Sequence, residues 1–141
     1  FCDTVRRLRP DAAFSADIIV GFPTETDAMF ENSMALVEDA GLSDLHVFCF
    51  SPRSGTPAAR MARVDGETVR TRSARLREKA QAARHARLAA LTGTTQELLL
   101  EKGGIGRTRC FAPVRQDGPR GAIVPVRITG RDGDRLLAVP A

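Results

Sequence analysis

The first 50 residues show two spacings of apolar positions, one typical of strands and one of a helix. Residues 14–22 contain a continuous apolar, β-branched core, residues 18–20, which predicts a strand buried on both faces, as in parallel sheets. Phe30, Met34 and Val37 then follow the spacing of a helix face, and residues 45–50 form a second apolar run. This order predicts a βαβ unit with two parallel strands.

The loops of this unit leave the carboxyl ends of neighbouring parallel strands. Residues 21–26 follow the first strand, and residues 51–57 follow the second. Sheets and barrels of the α/β class bind their ligands along this edge. We therefore expect the two loops to lie side by side and to form a ligand site.

The pattern changes after the second loop. Residues 67–91 are rich in Arg and Ala, and one apolar stripe at helical spacing predicts a long helix that ends at Thr92 and Gly93. Four short β-like runs follow, at residues 96–101, 107–114, 122–129 and 135–139. They predict a small antiparallel β-barrel. The predicted domains are residues 1–91, an α/β unit with a basic linker helix, and residues 92–141, the barrel.

Charge is segregated along the chain, although the net charge is only +4. Residues 1–50 carry three Arg against nine acidic residues, a net charge of −6, whereas residues 51–91 carry +7 and residues 92–141 carry +3. The basic segment at residues 51–91 favours contact with a polyanion. The alternative is that these cations only form the solvated face of a helix.

The composition, with 43% hydrophobic and 27% charged residues, is that of an ordinary globular protein, and no apolar run approaches the ~20 residues of a membrane helix. The spacing of the three cysteines, Cys2, Cys49 and Cys110, matches no motif that binds a metal or an iron–sulfur cluster. We therefore expect a reducing, cytoplasmic location and no metal or cluster held by this chain alone. The sequence begins with Phe1 instead of methionine, which favours a piece of a longer protein.

The segment DIIVGFPTET, residues 17–26, has the features of a cofactor pocket. Gly21 ends the strand and lets a flat ligand approach the backbone, and the helix start that follows offers N–H groups to an anion. Asp17 and Glu25 are acidic groups near this edge, suited to a ribose hydroxyl or an ammonium group. A tight strand-to-helix turn without a ligand is the alternative.

The segment SPRSGTP, residues 51–57, is a loop stiffened by two prolines. Arg53 projects from this turn and is a candidate to bind a carboxylate or a phosphate. A rigid connection into the next helix, with no binding role, is the alternative.

Together these segments carry a resemblance to a known family. DIIVGFPTET, followed after the helix by HVFCFSPRSGTPAARM, is similar to the radical S-adenosylmethionine (SAM) methylthiotransferases. The Arg-rich helix and the stretch TTQELLLEKGGIGRTRCFAPVR resemble that family's linker and its C-terminal TRAM domain, a small RNA-binding barrel. SPRSGTPAARM after LHVF is most similar to the enzymes that act on threonylcarbamoyladenosine beside the anticodon of tRNA.

The resemblance implies the last two strands of a partial (βα)6-type radical SAM barrel, followed by a TRAM-like barrel. For the full-length protein it implies two 4Fe–4S clusters, one that cleaves SAM to a radical and one that supplies sulfur, neither of them ligated by this chain. The implied reaction adds a methylthio group to C2 of N6-threonylcarbamoyladenosine, and the implied partner is tRNA. This chain alone is then expected to be inactive.

The family's SAM-contacting residues are carried over position by position. They are Gly21, Phe22, Pro23 and Glu25, with Asp17, Phe50 and Ser51 as weaker candidates. No catalytic residue is assigned. Thr24 stands where the family usually has Gly and is expected to stiffen or re-aim its loop, and Ser54 stands where it usually has Pro and is expected to loosen the Arg53 turn.

The predicted RNA-binding groups are basic side chains of the barrel and the second loop. They are Arg53, Lys102, Arg107, Arg109, Arg115 and Arg127. Binding of phosphates through these cations is expected to be sensitive to salt. Phe111 is the barrel's only aromatic residue, for which core packing beside Cys110 is the favoured interpretation and base stacking the alternative. We expect His46 to be structural and His85 to lie at the surface.

Other functions fit the same sequence. Sister groups of the family act on isopentenyladenosine in tRNA and on an aspartate of a ribosomal protein, and the latter would have a less basic terminal barrel. A further alternative is a stand-alone RNA-binding module without catalysis, in which the α/β part only supports the terminal barrel. The electron donor and the oligomeric state are left open.

Overall fold

The computed structural model describes residues 1–141, which divide into two units. Residues Phe14–Ala83 belong to one of them, with Cys2, and we call it the α/β unit. The other contains Phe1, Asp3–Ala13 and Arg84–Ala141, and we call it the barrel unit. None of the helices combines the length and the apolar character needed to cross a bilayer.

The α/β unit contains the predicted βαβ arrangement. Strand β1 (Ser15–Val20) and strand β2 (Asp44–Cys49) pair in parallel along their whole length, and helix α2 (Asp27–Asp39) connects them. The hydroxyl of Thr26 caps α2 by accepting the N–H of Met29 at 3.2 Å. The parallel pairing confirms the prediction that both following loops start at one edge.

A long helix follows this unit's second loop. After a 3-10 turn at Pro57–Arg60, helix α3 (Gly66–Ala90) is capped by Asp65, whose carboxylate accepts the N–H groups of Glu67 and Thr68 at 2.9 and 3.0 Å. The pKa of the Asp65 carboxyl lies below its ordinary value, mainly because of the bond from the Thr68 N–H. Desolvation acts in the opposite direction and raises the pKa. The helix starts in the α/β unit and ends in the barrel unit.

The core of the α/β unit lies on one face of the sheet only. Val20, Phe30 and Leu76 are buried there, among the strands and the two helices. Ile19 and Phe48 lie on the other face and are 55% and 51% exposed. The prediction of a strand buried on both faces is therefore wrong, because both helices cover the same side of a two-stranded sheet.

The barrel unit has five strands that close into a barrel in the order β3-β4-β5-β7-β6. The strands are β3 (Thr95–Leu100), β4 (Ile105–Thr108), β5 (Pro113–Arg115), β6 (Ile123–Asp132) and β7 (Arg135–Pro140). Leu98, Val114 and Leu136 are fully buried inside, and Leu88 from the end of α3 joins their cluster. Except for Cys2, a short helix, α1 (Cys2–Leu8), also belongs to this unit.

The closed barrel confirms the prediction of a small β-barrel and differs from it in two respects. The predicted strand at residues 107–114 is two strands, because the backbone turns at Phe111, whose φ of +63° is incompatible with extended structure. In addition, β5 pairs with β7 in parallel, so the barrel is not wholly antiparallel.

Candidate functional site

The two loops of the α/β unit lie side by side. The rings of Phe22 and Phe50 meet edge to face with their centroids 5.2 Å apart. The N–H of Phe50 donates to the carbonyl of Val20 at 2.8 Å, which continues the β1–β2 pairing into the loops. We call residues 21–26 and 50–57 the rim. The contact confirms that the strands deliver their following loops to one place.

The rim exposes an aromatic edge with polar neighbours. Phe22 is 42% exposed, Phe50 is half-buried and Ser51 is exposed. Asp17 is exposed too, but it lies inside β1 on the open face of the sheet, two residues before Ile19. Of the predicted cofactor contacts, the structure thus brings Phe22, Phe50 and Ser51 together at the strand ends, and it places Asp17 further down the sheet.

The carboxylate of Glu25 is held by hydrogen bonds from within the chain. Its Oε2 accepts the N–H of Gly21 at 2.9 Å and a guanidinium N–H of Arg72 at 2.7 Å. Arg72 also donates to the carbonyl of Glu25 at 3.1 Å and to Oδ1 of Asp27 at 2.6 Å. The side chains of Arg72 and Glu25 are only 7% and 9% exposed. This buried pair holds the first loop in its shape.

Arg72 is a site residue that sequence reasoning missed. Asp27 above all, and also Glu25, raise the pKa of Arg72 above its ordinary value, although burial opposes them. The sequence carries a signal for its burial, since Arg72 stands three residues after Val69 and four before Leu76, within the apolar stripe of α3. A charged residue on such a stripe requires a buried partner.

Gly21 makes room for a helix. It has a φ of +77°, and a Cβ added to it would lie 2.5 Å from Cγ2 of Val69 on α3. The absence of a side chain at Gly21 therefore allows α3 to pack closely against the loop. The role of Gly21 toward a cofactor stays a prediction. Pro23 is buried beside it, whereas Thr24 is exposed and has a φ of +101°, which favours glycine.

Arg53 is exposed at the rim. Its carbonyl accepts the N–H and the hydroxyl of Thr56 at 3.1 and 2.8 Å, which ties the turn together although Ser54 replaces the usual proline. The guanidinium forms no hydrogen bond or ion pair within the chain. It is therefore available to a carboxylate or a phosphate.

Acidic and basic segments pair with each other inside the α/β unit. Besides the Arg72 pair, Arg75 on α3 binds Glu31 on α2 at 2.7 Å, and Lys79 binds Glu38 at 2.9 Å. The guanidiniums of Arg72 and Arg75 also lie over the ring of Phe30. Part of the segregated charge is thus neutralised between two helices, which counting charges along the sequence did not reveal.

The barrel unit presents its cations differently. Lys102, Arg115 and Arg127 are exposed and form no salt bridge. Arg107 and Arg109 have acidic neighbours on the barrel surface: Arg107 Nε lies 3.2 Å from Glu101 and Arg109 Nη1 lies 3.6 Å from Glu97. Arg115 lines a pocket of about 230 Å³ with Asp132, Asp134, Arg135 and Leu137.

Phe111 is not a core residue. Its side chain is 76% exposed, so the favoured interpretation of core packing is wrong. The turn between β4 and β5 directs it outward, because the N–H of Phe111 donates to the carbonyl of Thr108 at 2.9 Å and the N–H of Ala112 donates to the Thr108 hydroxyl at 3.1 Å. Cys110 packs against the barrel core, as expected.

A groove of about 370 Å³ lies beside this side chain on the outer face of the barrel. We call it the Phe111 groove. Its lining residues are Glu97, Leu99, Glu101, Arg107, Thr108, Arg109, Phe111 and Ile123.

The two histidines occupy different surroundings. His46, expected to be structural, is exposed on the open face of β2, next to Asp17 of β1 in the strand register. His85 is partly exposed and its Nε2 lies 2.9 Å from Oδ1 of Asp134. No group of three or more His, Cys, Asp or Glu side chains is placed to hold a metal ion, and the three cysteines are free.

Comparison with known proteins identifies the family. Threonylcarbamoyladenosine tRNA methylthiotransferase MtaB of Rickettsia prowazekii (strain Madrid E) is 44% identical over 117 residues, which cover 83% of this chain. The chain belongs to the radical SAM methylthiotransferase family. A second member, tRNA-2-methylthio-N(6)-dimethylallyladenosine synthase of Bartonella bacilliformis (strain ATCC 35685 / KC583 / Herrer 020/F12,63), is 36% identical over 148 residues and 99% of this chain. No protein-family model matches the chain.

The chain corresponds to only part of these methylthiotransferases. It spans 28% of the first relative and 32% of the second. Because the second match covers 99% of the chain, both the α/β unit and the barrel unit have counterparts in a methylthiotransferase.

Proposed function

We propose that the chain is the C-terminal part of a tRNA methylthiotransferase that adds a methylthio group to C2 of N6-threonylcarbamoyladenosine next to the anticodon. The observation that carries the proposal is the rim, where two parallel strands end at one edge and Phe22 meets Phe50. The identity of 44% to the relative named for threonylcarbamoyladenosine, against 36% to the one named for dimethylallyladenosine, supports this substrate.

The open face of the sheet supports a larger barrel. Strands β1 and β2 each have one unpaired edge, and Ile19 and Phe48 are exposed on the face away from the helices. In a βα barrel, helices cover the outer face of every strand and the other face points inward. The two strands therefore fit the end of a partial (βα)6-type barrel, with the remaining strands and both 4Fe–4S clusters in the rest of the protein.

The exposed rim residues fit the nucleoside part of SAM. Phe22 and Phe50 offer an aromatic edge to an adenine, and the Ser51 hydroxyl lies at the same edge for a ribose or an amino acid group. Glu25 acts as a positioning residue, because its carboxylate ties Gly21 to Arg72 and so shapes the loop. These residues would hold and orient SAM, which would supply the radical and the methyl group in the full-length protein.

The substrate side involves the free cations. Arg53 at the rim suits a carboxylate or a phosphate of the modified nucleotide. In the barrel unit, a TRAM-like RNA-binding domain in this proposal, Lys102, Arg115 and Arg127 are exposed and suit tRNA phosphates. A tRNA substrate also fits the cytoplasmic location that we expect for the protein.

The test expresses the complete gene that encodes this chain in bacteria that lack threonylcarbamoyladenosine methylthiotransferase activity. Mass spectrometry of the nucleosides from total tRNA should show the 2-methylthio derivative of threonylcarbamoyladenosine. Phe50→Ala should lower its yield at least tenfold by removing the aromatic edge, whereas Leu36→Ala, at an exposed position of α2, should not. Methylthio groups on dimethylallyladenosine or on a ribosomal protein alone would overturn the substrate assignment.

A further inference from the structure

We propose that the Phe111 groove binds one unpaired RNA nucleotide, with the base stacked on Phe111 and the phosphate held by Arg109. This site rests on the proposed action on tRNA and assigns a particular contact to it. The alternative occupants of such a surface, another protein or a second copy of this chain, are outcomes of the test below.

The turn at Phe111 is built to hold an aromatic side chain in solvent. A φ of +63° is uncommon for a bulky residue, and glycine or asparagine would adopt it at lower cost. Thr108 fixes the turn by accepting the N–H groups of Phe111 and Ala112 at 2.9 and 3.1 Å, and a guanidinium N–H of Arg107 reaches the Phe111 carbonyl at 3.5 Å. Backbone strain retained at an exposed aromatic residue indicates a binding role.

The apolar floor of the groove comes from adjacent strands. In the strand register Leu99 of β3 lies opposite Ile123 of β6 on one side and opposite Arg107 of β4 on the other. Leu99 and Ile123 are 44% and 67% exposed, so their side chains form a surface that water covers in the free protein. Together with the Phe111 ring, this surface matches the flat apolar face of one base.

The charges around this floor give the nucleotide an orientation. Arg109 is 75% exposed, and its ion pair with Glu97, at 3.6 Å, is exposed to solvent. A phosphate can therefore replace Glu97 as the partner of Arg109 at little cost in free energy. The carboxylates of Glu97 and Glu101 repel phosphate but accept N–H donors, such as the amino group of adenine, cytosine or guanine. The base edge therefore faces the carboxylates, and the phosphate faces Arg109.

Only an unpaired nucleotide satisfies these contacts. A base within a duplex keeps both faces stacked on its neighbours and its amino group bonded to its partner, so it reaches neither the ring nor the carboxylates. The groove volume of about 370 Å³ lies near the lower end of small-ligand sites, roughly 300–1,000 Å³, which suits one nucleotide and not a long segment.

The experiment measures binding of the 141-residue chain to two fluorescent RNAs with equal numbers of phosphates. One is a hairpin with an adenine-rich unpaired loop, and the other is a fully paired duplex. Phe111→Leu keeps an apolar side chain but removes the aromatic face, and it should weaken hairpin binding about tenfold while leaving duplex binding and the salt dependence unchanged. Phe111→Trp should retain hairpin binding, and Phe1→Leu, the same change at an exposed Phe outside the groove, should have no effect.

Phe111→Gly distinguishes a binding role from a structural one. Glycine relieves the positive φ, so this variant should melt no lower than the wild type and yet lose hairpin binding. Equal hairpin affinity of the wild type and Phe111→Leu overturns the site. So does a chain dimer in sedimentation that Phe111→Gly dissociates, because the groove is then a protein interface. Either failure leaves the nucleoside analysis of the complete gene unaffected, so the two proposals fail separately.

Discussion

Several basic residues of the two units differ in whether they are paired with acids. In the α/β unit, Arg72, Arg75 and Lys79 of α3 are paired with acidic residues of the first loop and of α2. In the barrel unit, Arg115 and Arg127 form no salt bridge and are exposed. Three of the ten basic residues of segment 51–91 are thus neutralised within the α/β unit, whereas these two cations of the less basic segment face solvent. Net charge along a chain therefore does not say which surface meets a polyanion.

The largest expected effect tests whether the α/β cations are structural. Arg72→Met should destabilise the protein by roughly 3 kcal/mol, because Glu25 is left buried without its partner. Arg75→Met, which breaks an exposed pair, should cost much less. Urea unfolding monitored by circular dichroism measures both variants. Equal losses would contradict the distinction between buried and exposed pairs.

The next effect tests whether Gly21 serves packing in the α/β unit. Gly21→Ala places a Cβ 2.5 Å from Val69 at a backbone position with positive φ, and it should cost about 2 kcal/mol. Adding Val69→Ala should recover part of this loss, since the clash is removed while the backbone strain stays. Both unfolding curves are measured without any ligand. The absence of any rescue by Val69→Ala would contradict the packing role.

A smaller effect tests the cations of the barrel. Arg127→Gln should lower the slope of log affinity for tRNA against log salt concentration by about 1, because one phosphate contact is lost. Arg75→Gln, a paired cation of α3, should leave that slope unchanged. Fluorescence anisotropy over a salt series measures both slopes. A larger change for Arg75→Gln than for Arg127→Gln would reverse the comparison between the units.

The smallest effect concerns the start of α3. Because the folded-state pKa of Asp65 is lowered, its stabilising effect is present above the ordinary carboxyl pKa of about 3.9 and is lost as the pH falls through the lowered folded value. Asp65→Asn keeps a capping side chain that does not titrate, so its unfolding midpoint should fall less between neutral pH and about pH 3. Identical acid dependence in both proteins would show that Asp65 does not contribute.

Much of the fold was predictable because apolar spacing reports local structure directly. The runs around Ile18 and Val47 predicted both parallel strands, and the glycine-separated runs predicted the barrel. The exposure of Ile19 was not predictable, since the apolar character of a strand does not tell how many helices cover it. The outward direction of Phe111 depends on a positive φ and on the Thr108 bonds, which no periodicity encodes.

The sequence by itself determined the order of strands and helices, the rim motifs with their glycine and prolines, and the resemblance to a family. The tertiary structure alone decided which charges are paired, because Arg72 and Glu25 are 47 residues apart and meet only through packing. It also decided that the barrel's single aromatic residue points into solvent. Local patterns set local conformation, but burial and ion pairing depend on contacts between segments that are distant along the chain.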